Sequence, residues 1–497
     1  MTDLSAGAIL AAYYCILGIL AIYGGHRLFL LALYYRTRHH RPLPPAEPHS
    51  WPLVTVQLPL FNELYVAERL IRTVCRLDYP QERLEIQILD DSTDETQLEV
   101  QALVEEYRQC GFHIEHLHRR DRIGFKAGAL AAGLRRAGGD LIAIFDADFV
   151  PQRDYLRRVV PYFQDPSIGM VQACWDHLNR DYSLLTRIQA ILLDGHFLIE
   201  HTARYRSKRF FNFNGTAGMW RRQAILDAGG WQHDTLTEDL DLSYRAQLAG
   251  WRFIYLDNLS VPAELPVDIN AFKRQQYRWS KGSVQTGRKL LRRILAAPLP
   301  WFVKLESTIH LTSNASYLLM VGLSLLVFPA MLLRRGSSSR AILFVDVPLF
   351  LCATVSVLAF YSITQKVRGG ESAGRLGRLV PLMGLGIGLA VNNSRAVIAG
   401  LGRDVGEFER TPKYRIEHRQ DGWRKKRYRV GVDISVILEG ALAVWFASAF
   451  VIAWRMGMWM SLPFLYLFLQ GYSYMFLLST FSFRRHRQRQ LEAKSPN

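Results

Sequence analysis

Four short groups in this 497-residue chain combine residue types and spacings that can do chemistry. Asp146 and Asp148 close the apolar run LIAIFDADF. Carboxylates two residues apart at a strand end share a face, and such hard oxygen donors suit one Mg2+ or Mn2+ ion bridging a diphosphate, although a solvated strand end reads the same way. Asp90 and Asp91 end a second run, EIQILDD, and the STDET that follows offers Ser92 or Asp94 as a helix cap. Thr237, Glu238 and Asp239 form the third group. One of its carboxylates suits a general base for a hydroxyl proton, and as helix N-terminal acids with Thr237 as cap they suit the macrodipole equally. The fourth is QQYRW, residues 275–279, in which Arg278 can fork onto phosphate oxygens and Trp279 can offer a flat face to a sugar ring. A basic amphipathic helix lying on a bilayer has the same composition.

The elements that must position these groups follow from hydrophobic periodicity. Between residues 54 and 171 short β runs alternate with helical patterns: VTVQLP, a helix from Leu64, EIQILDD, a helix from Asp94, HIEHL, a helix from Lys126, then LIAIFDADF. Strict alternation predicts an α/β fold with a doubly wound, mostly parallel sheet whose ligands lie beyond the carboxyl ends of the strands, where the acidic groups fall.

The flanks are different in kind. Residues 6–35 are apolar nearly throughout and are followed by Arg36, Arg38, His39, His40 and Arg41, the pattern of a signal anchor that leaves the next region in the cytoplasm. Further spans are expected at 309–333, 341–364, 434–453 and 459–481. The apolar stretch 379–402 contains Asn392, Asn393, Ser394 and Arg395 and precedes the basic segment 403–433, so an interfacial or re-entrant helix is expected there. The resulting organisation is an anchor (1–40), a cytoplasmic α/β domain (41–300), a membrane domain of about four spans with a cytoplasmic loop (301–482), and a basic tail (483–497). The net charge of +17 therefore belongs to membrane flanks rather than to nucleic-acid binding. The five cysteines form no CxxC pair, which argues against a disulfide framework or a structural zinc site.

In this order and inside such a chain, the four groups resemble the processive inverting family 2 glycosyltransferases of the cellulose synthase and hyaluronan synthase type, whose signature is D, DxD, TED and QxxRW. Finer wording (LPLFNE, QILDDSTD, GFKAGAL, AIFDADF, FNGTAGMWR, AELP) is similar to plant mannan synthases and xyloglucan-backbone glucan synthases. The resemblance implies a GT-A type domain in which Asp90 and Asp91 hold base and ribose and Lys126 reaches the diphosphate. Asp146 and Asp148 would hold Mg2+ or Mn2+, Asp239 would be the catalytic base, and Gln275 and Arg278 would grip the leaving diphosphate. Trp279, Glu238 and the FNFNGT segment with Phe213 and Asn214 would contact the acceptor, Asn214 standing where cellulose synthases carry cysteine. Phe408, Thr411 and Lys413 resemble the FxVTxK gating loop, with Arg410 in place of valine.

The implied activity is hexose transfer from a nucleotide sugar (GDP-mannose, UDP-glucose or GDP-glucose) to a growing β-mannan or β-glucan with coupled translocation, at the plasma (inner) membrane. The implied partners are the donor, a polysaccharide or lipid acceptor and membrane lipid. Single-sugar transfer to a membrane lipid and non-catalytic binding of polyanions are the alternative readings.

Overall fold

The computed structural model describes residues 3–334, 345, 347–369, 375–424, 426–428, 431 and 433–492. Seven strands form one sheet in the order β3-β2-β1-β4-β6-β5-β7. They are β1 (Val54–Leu60), β2 (Leu84–Asp90), β3 (His113–His118), β4 (Leu141–Ile144), β5 (Ile168–His177), β6 (Gly218–Arg221) and β7 (Arg252–Ala263). Only β6 runs against its neighbours β4 and β5; the remaining pairs are parallel.

Successive side chains of a strand alternate between faces. Val54, Val56, Leu58, Ile86 and Ile88 thus join one buried cluster, while Leu89, Ile142 and Ile144 join another with Leu130, Leu134 and Trp220. Both faces are covered, so strands such as β2 are buried along their whole length. The register pairs Leu60 with Asp90 and Asp90 with His118, which aligns the three carboxyl ends on one edge of the sheet.

One expected element is shorter than the sequence pattern. The strand read through LIAIFDADF ends at Ile144, where its pairing with β1 stops at Gln57. Asp146 and Asp148 therefore lie in the following turn and owe their placement to it rather than to strand alternation. The turn is held by the Asp146 N–H, which donates to Thr216 Oγ1 at 2.8 Å.

The helix Ile269–Ala296 leads from the sheet toward the apolar helices, capped by Asp268 Oδ2, which accepts from the N–H groups of Asn270 and Ala271. Among the described residues, five helical segments are long and apolar enough to cross a membrane: Ser5–Thr37, Ala315–Leu333, Gly377–Leu401, Ser435–Arg455 and Trp459–Phe481. The apolar run expected over 309–333 is split, with Trp301–Thr312 and Ala315–Leu333 separated at Ser313 and Asn314. Asn314 Oδ1 accepts from Ser280 Oγ there, tying the break to the long helix. Of the expected span 341–364, residues 341–344 and 346 lie outside the described residues, and Ser356–Val367 is helical. In the tail, 493–497 lie outside them too.

Gly377–Leu401 differs from the other four segments in being 72% buried within the protein, against 22–33% for the others. Its Asn392 has protein partners: Nδ2 donates to the Lys273 carbonyl at 2.9 Å and to Asn393 Oδ1 at 2.8 Å. Asn392, one of the asparagines that argue against a lipid-facing helix, thus bonds to Ile269–Ala296.

Candidate active site

One cavity at the carboxyl edge of the sheet is lined by Asp91, Lys126, Asp146, Asp148, Asn214, Glu238, Asp239, Gln275, Arg278, Trp279, Phe408, Thr411 and Lys413. Residues 322 positions apart in sequence, Asp91 and Lys413, share its wall (413 minus 91). Two expected residues do not. Asp90 is fully buried below the wall, its Oδ1 accepting from the Ser92 N–H at 2.8 Å and its Oδ2 lying 2.9 Å from His116 Nε2. Despite burial, the hydrogen bonds from His116 and Ser92 hold its carboxyl below the ordinary range. Phe213 is equally buried, with its ring edge-on to Trp220.

The capping alternatives separate cleanly. Asp94 Oδ1 accepts from the Thr96 N–H at 3.0 Å, a local turn ahead of the helix Thr96–Gln109, whose N-cap residue Glu95 makes no side-chain capping bond. Thr237 precedes the helix Glu238–Leu248 without capping it; its hydroxyl lies 3.3 Å from Thr286 Oγ1 instead. The long helix packs closely at this point. A Cβ on Gly282 would lie 2.5 Å from Thr237 Cγ2 and 2.8 Å from Thr237 N, and Gln285 Oε1 accepts from the Leu236 N–H at 2.9 Å. The third and fourth motifs are therefore fixed to each other by backbone contact.

Asp239 sits against Gly215, whose φ of +81° and missing side chain allow the approach: a Cβ there would stand 3.0 Å from Asp239 Oδ2 and 3.3 Å from Lys126 Nζ. Lys126 Nζ donates to Asp146 Oδ1 at 2.5 Å and to the Gly215 carbonyl at 2.9 Å. Burial first, and the neighbouring Glu238 second, push the Asp239 carboxyl up to about 7, the range of a general base working near neutrality. Arg278 lies with its guanidinium over the Phe408 ring at 4.4 Å, and its Nε has no hydrogen-bond partner among the described residues.

The loop after Leu401 closes over this site. Lys413 Nζ donates to Asp148 Oδ2 at 2.6 Å and to the Glu264 carbonyl at 2.8 Å, while Glu264 Oε1 accepts from the Tyr414 N–H at 2.9 Å. Arg410 pairs with Glu63 at 3.0 Å. Phe408 stacks on Phe125 at 6.2 Å. Glu63, Glu264, Arg122, Trp175 and His177 also line the cavity without having been singled out from the sequence. Glu63 and Glu264 fall inside the LPLFNE and AELP wording, which was the available signal; Arg122 and Trp175 had none.

Asp146 and Asp148 each hold a lysine ammonium, so both already face a positive charge, and their oxygen donors fit a hard divalent ion. A second grouping, Asp90 with His116 and His118, brings one ligand atom from each within 4.8 Å of the others. Its hydrogen bonds already account for Asp90.

Residues 52–282 match the family model described as "Glycosyltransferase like family 2". This stretch is similar to family 2 glycosyltransferase domains. Its relatives include glucomannan 4-beta-mannosyltransferase 2 of Arabidopsis thaliana, 45% identical over 251 residues, covering 50% of this chain and 47% of the relative. Glucomannan 4-beta-mannosyltransferase 1 of Cyamopsis tetragonoloba is 41% identical over 251 residues, covering 50% of this chain and 48% of the relative. The resemblance to mannan synthases is thereby borne out, although the chain spans about half the length of the curated relatives it matches. Among solved structures, the mannosyltransferase PcManGT from Pyrobaculum calidifontis in complex with GDP-Man and Mn2+ superimposes with a TM-score of 0.52 at 23% identity, covering 72% of this chain and 98% of that one. The sheet domain thus has the expected GT-A type fold.

Proposed function

We propose that the chain is a membrane-bound inverting hexosyltransferase that adds sugar from a nucleotide diphosphate donor to a growing β-linked polysaccharide. The carrying observation is the convergence of Asp239, Lys126, Arg278 and the Asp146–Asp148 pair on one cavity at the sheet's carboxyl edge. Mannose from GDP-mannose is the favoured donor, because the relatives are named for 4-β-mannosyl transfer in glucomannan.

In this reading Asp91, on the β2 side of the cavity, faces the nucleoside, and Arg278 with Lys126 meets the diphosphate. A divalent ion bound by Asp146 and Asp148 would supply charge neutralisation for the departing diphosphate. Asp239, ionised, takes the proton from the acceptor hydroxyl. The acceptor oxygen then forms its bond to the anomeric carbon as the bond to the diphosphate oxygen breaks, which inverts the anomeric centre. Arg278 stabilises the charge that develops on the leaving oxygen. Trp279 and Asn214 carry the acceptor end. The loop bearing Phe408, Thr411 and Lys413 is a lid whose closure keeps water from the activated sugar, and a divalent ion held by Asp146 and Asp148 would replace the Lys413 ammonium on Asp148. The basic flanks favour a cytoplasmic catalytic domain in a plasma (inner) membrane, with polymer passing between the apolar helices.

The test incubates membranes containing the protein with labelled GDP-mannose, UDP-glucose or GDP-glucose in the presence of Mn2+ or Mg2+. The proposal expects label from GDP-mannose in a polymer that β-mannanase degrades. Label confined to a lipid-extractable mono- or disaccharide would overturn it in favour of glycolipid synthesis.

A further inference from the structure

We infer that Trp175 is the wall against which the transferred hexose of the donor lies, its indole N–H donating to a hydroxyl of that sugar. The inference rests on the nucleotide-sugar reading above and goes beyond it by naming a sugar-binding residue outside the four motifs.

The sheet order carries the first part of the argument. The donor is linear: base, ribose, diphosphate, hexose. Along the carboxyl edge, Asp91 follows β2, the Asp146–Asp148 turn follows β4, and the end of β5 lies beyond β4 with only β6 between. A donor whose nucleoside meets Asp91 and whose diphosphate meets Asp146 and Asp148 therefore extends its hexose toward the end of β5. Trp175 stands there, lining the same cavity as Asp148, Asn214 and Asp239.

The second part is how the ring is held. Phe197 stacks on it with centroids 4.8 Å apart and planes 27° apart, and Phe149, the residue after Asp148, meets it edge-on at 5.0 Å. The pairing of β5 with β7 shifts register between Ala173 and Cys174, just before the tryptophan. Bulges of this kind re-aim a side chain next to a site. The indole is thus fixed from two sides and contributes to the cavity what these rings leave uncovered.

The third part is an unmet donor. Trp175 Nε1 is buried without a hydrogen-bond partner among the described residues. A buried N–H normally finds a partner, and a phenylalanine would fill the same wall without that cost. A pyranose hydroxyl supplies the acceptor, and the C–H face of the ring packs against the aromatic surface.

The experiment measures binding by calorimetry to the purified full chain in detergent with Mn2+, using GDP-mannose and GDP as probes on wild type and Trp175→Phe. The phenylalanine keeps the contacts to Phe149 and Phe197, and thermal unfolding checks that the fold is retained. The expected result is a GDP affinity within about twofold of wild type and a GDP-mannose affinity lowered about three- to tenfold. Equal affinity of wild type and variant for GDP-mannose overturns the inference, as does an equal loss for GDP and GDP-mannose. A change confined to the KM for a mannooligosaccharide acceptor places Trp175 at the acceptor and also overturns it. Wild type that binds neither GDP-mannose nor UDP-glucose refutes the nucleotide-sugar reading itself, so the two failures are distinguishable.

Discussion

Gly215→Ala is the smallest change that probes the contact between Asp239 and the backbone beside it. At φ +81° a β-carbon costs roughly 1–2 kcal/mol of backbone strain, which sets the expected loss of folding stability. The same carbon would stand 3.0 Å from Asp239 Oδ2 and 3.3 Å from Lys126 Nζ, so one or both must retreat by several tenths of an ångström. Neither moves freely: Asp239 Oδ1 accepts from the Leu240 N–H at 2.8 Å, and Lys126 is held by Asp146 and the Gly215 carbonyl. Because a misplacement of about 1 Å costs on the order of a hundredfold in rate, turnover should fall about ten- to a hundredfold. Asp91 and Arg278 are untouched and only the Lys126 contact to the diphosphate is at stake, so affinity for GDP should fall less than about tenfold. Steady-state transfer from GDP-mannose, calorimetry with GDP and thermal unfolding give the three numbers. Turnover within twofold of wild type, with the stability loss present, would refute the claim that the reacting carboxylate leans on Gly215.

Lys413→Ala removes the ammonium that pairs with Asp148, so Mn2+ with GDP should bind about tenfold more tightly; unchanged metal affinity by calorimetry would contradict the exchange. Transfer should require the ionised form of Asp239, so the rate should fall about tenfold per pH unit below about 7 and level off above it, read from the pH profile of kcat/KM. Lys273 and Glu439 form a 2.6 Å pair, both side chains buried, that ties the QQYRW helix to the helix Ser435–Arg455. Lys273→Ala should destabilise the protein by about 3–5 kcal/mol, whereas Lys273→Met with Glu439→Leu should recover most of it, as thermal unfolding would report.

Alternating apolar runs made the parallel half of the sheet readable, because β1, β2 and β4 are buried nearly throughout and β1 to β4 are separated by helices. The antiparallel β6 was not readable: its four residues, Gly218–Arg221, carry no period and gain their place only from pairing with β4 and β5. The site motifs were visible as residue types, but their supports were not. Asp90 resembles a ligand in the sequence, and its neighbours His116 and Ser92 make it a buried hydrogen-bonding hub. Gly215 and Gly282 work by what they leave out, which no residue pattern records. Asn392 and Asn393 speak against a lipid-facing helix, and the helix that Asn392 meets, Ile269–Ala296, lies over a hundred residues earlier, beyond the reach of local pattern.

The central claim is that Asp239 is the base for sugar transfer in the cavity at the sheet's carboxyl edge. Its most direct test compares wild type with Asp239→Asn for incorporation of labelled GDP-mannose into β-mannanase-sensitive polymer, alongside calorimetry of GDP-mannose binding with Mn2+. The amide keeps the shape and cannot accept the proton, so incorporation should vanish while donor affinity stays within a few fold. A variant that keeps more than a tenth of wild-type turnover, or that loses activity only because donor no longer binds, would contradict the account.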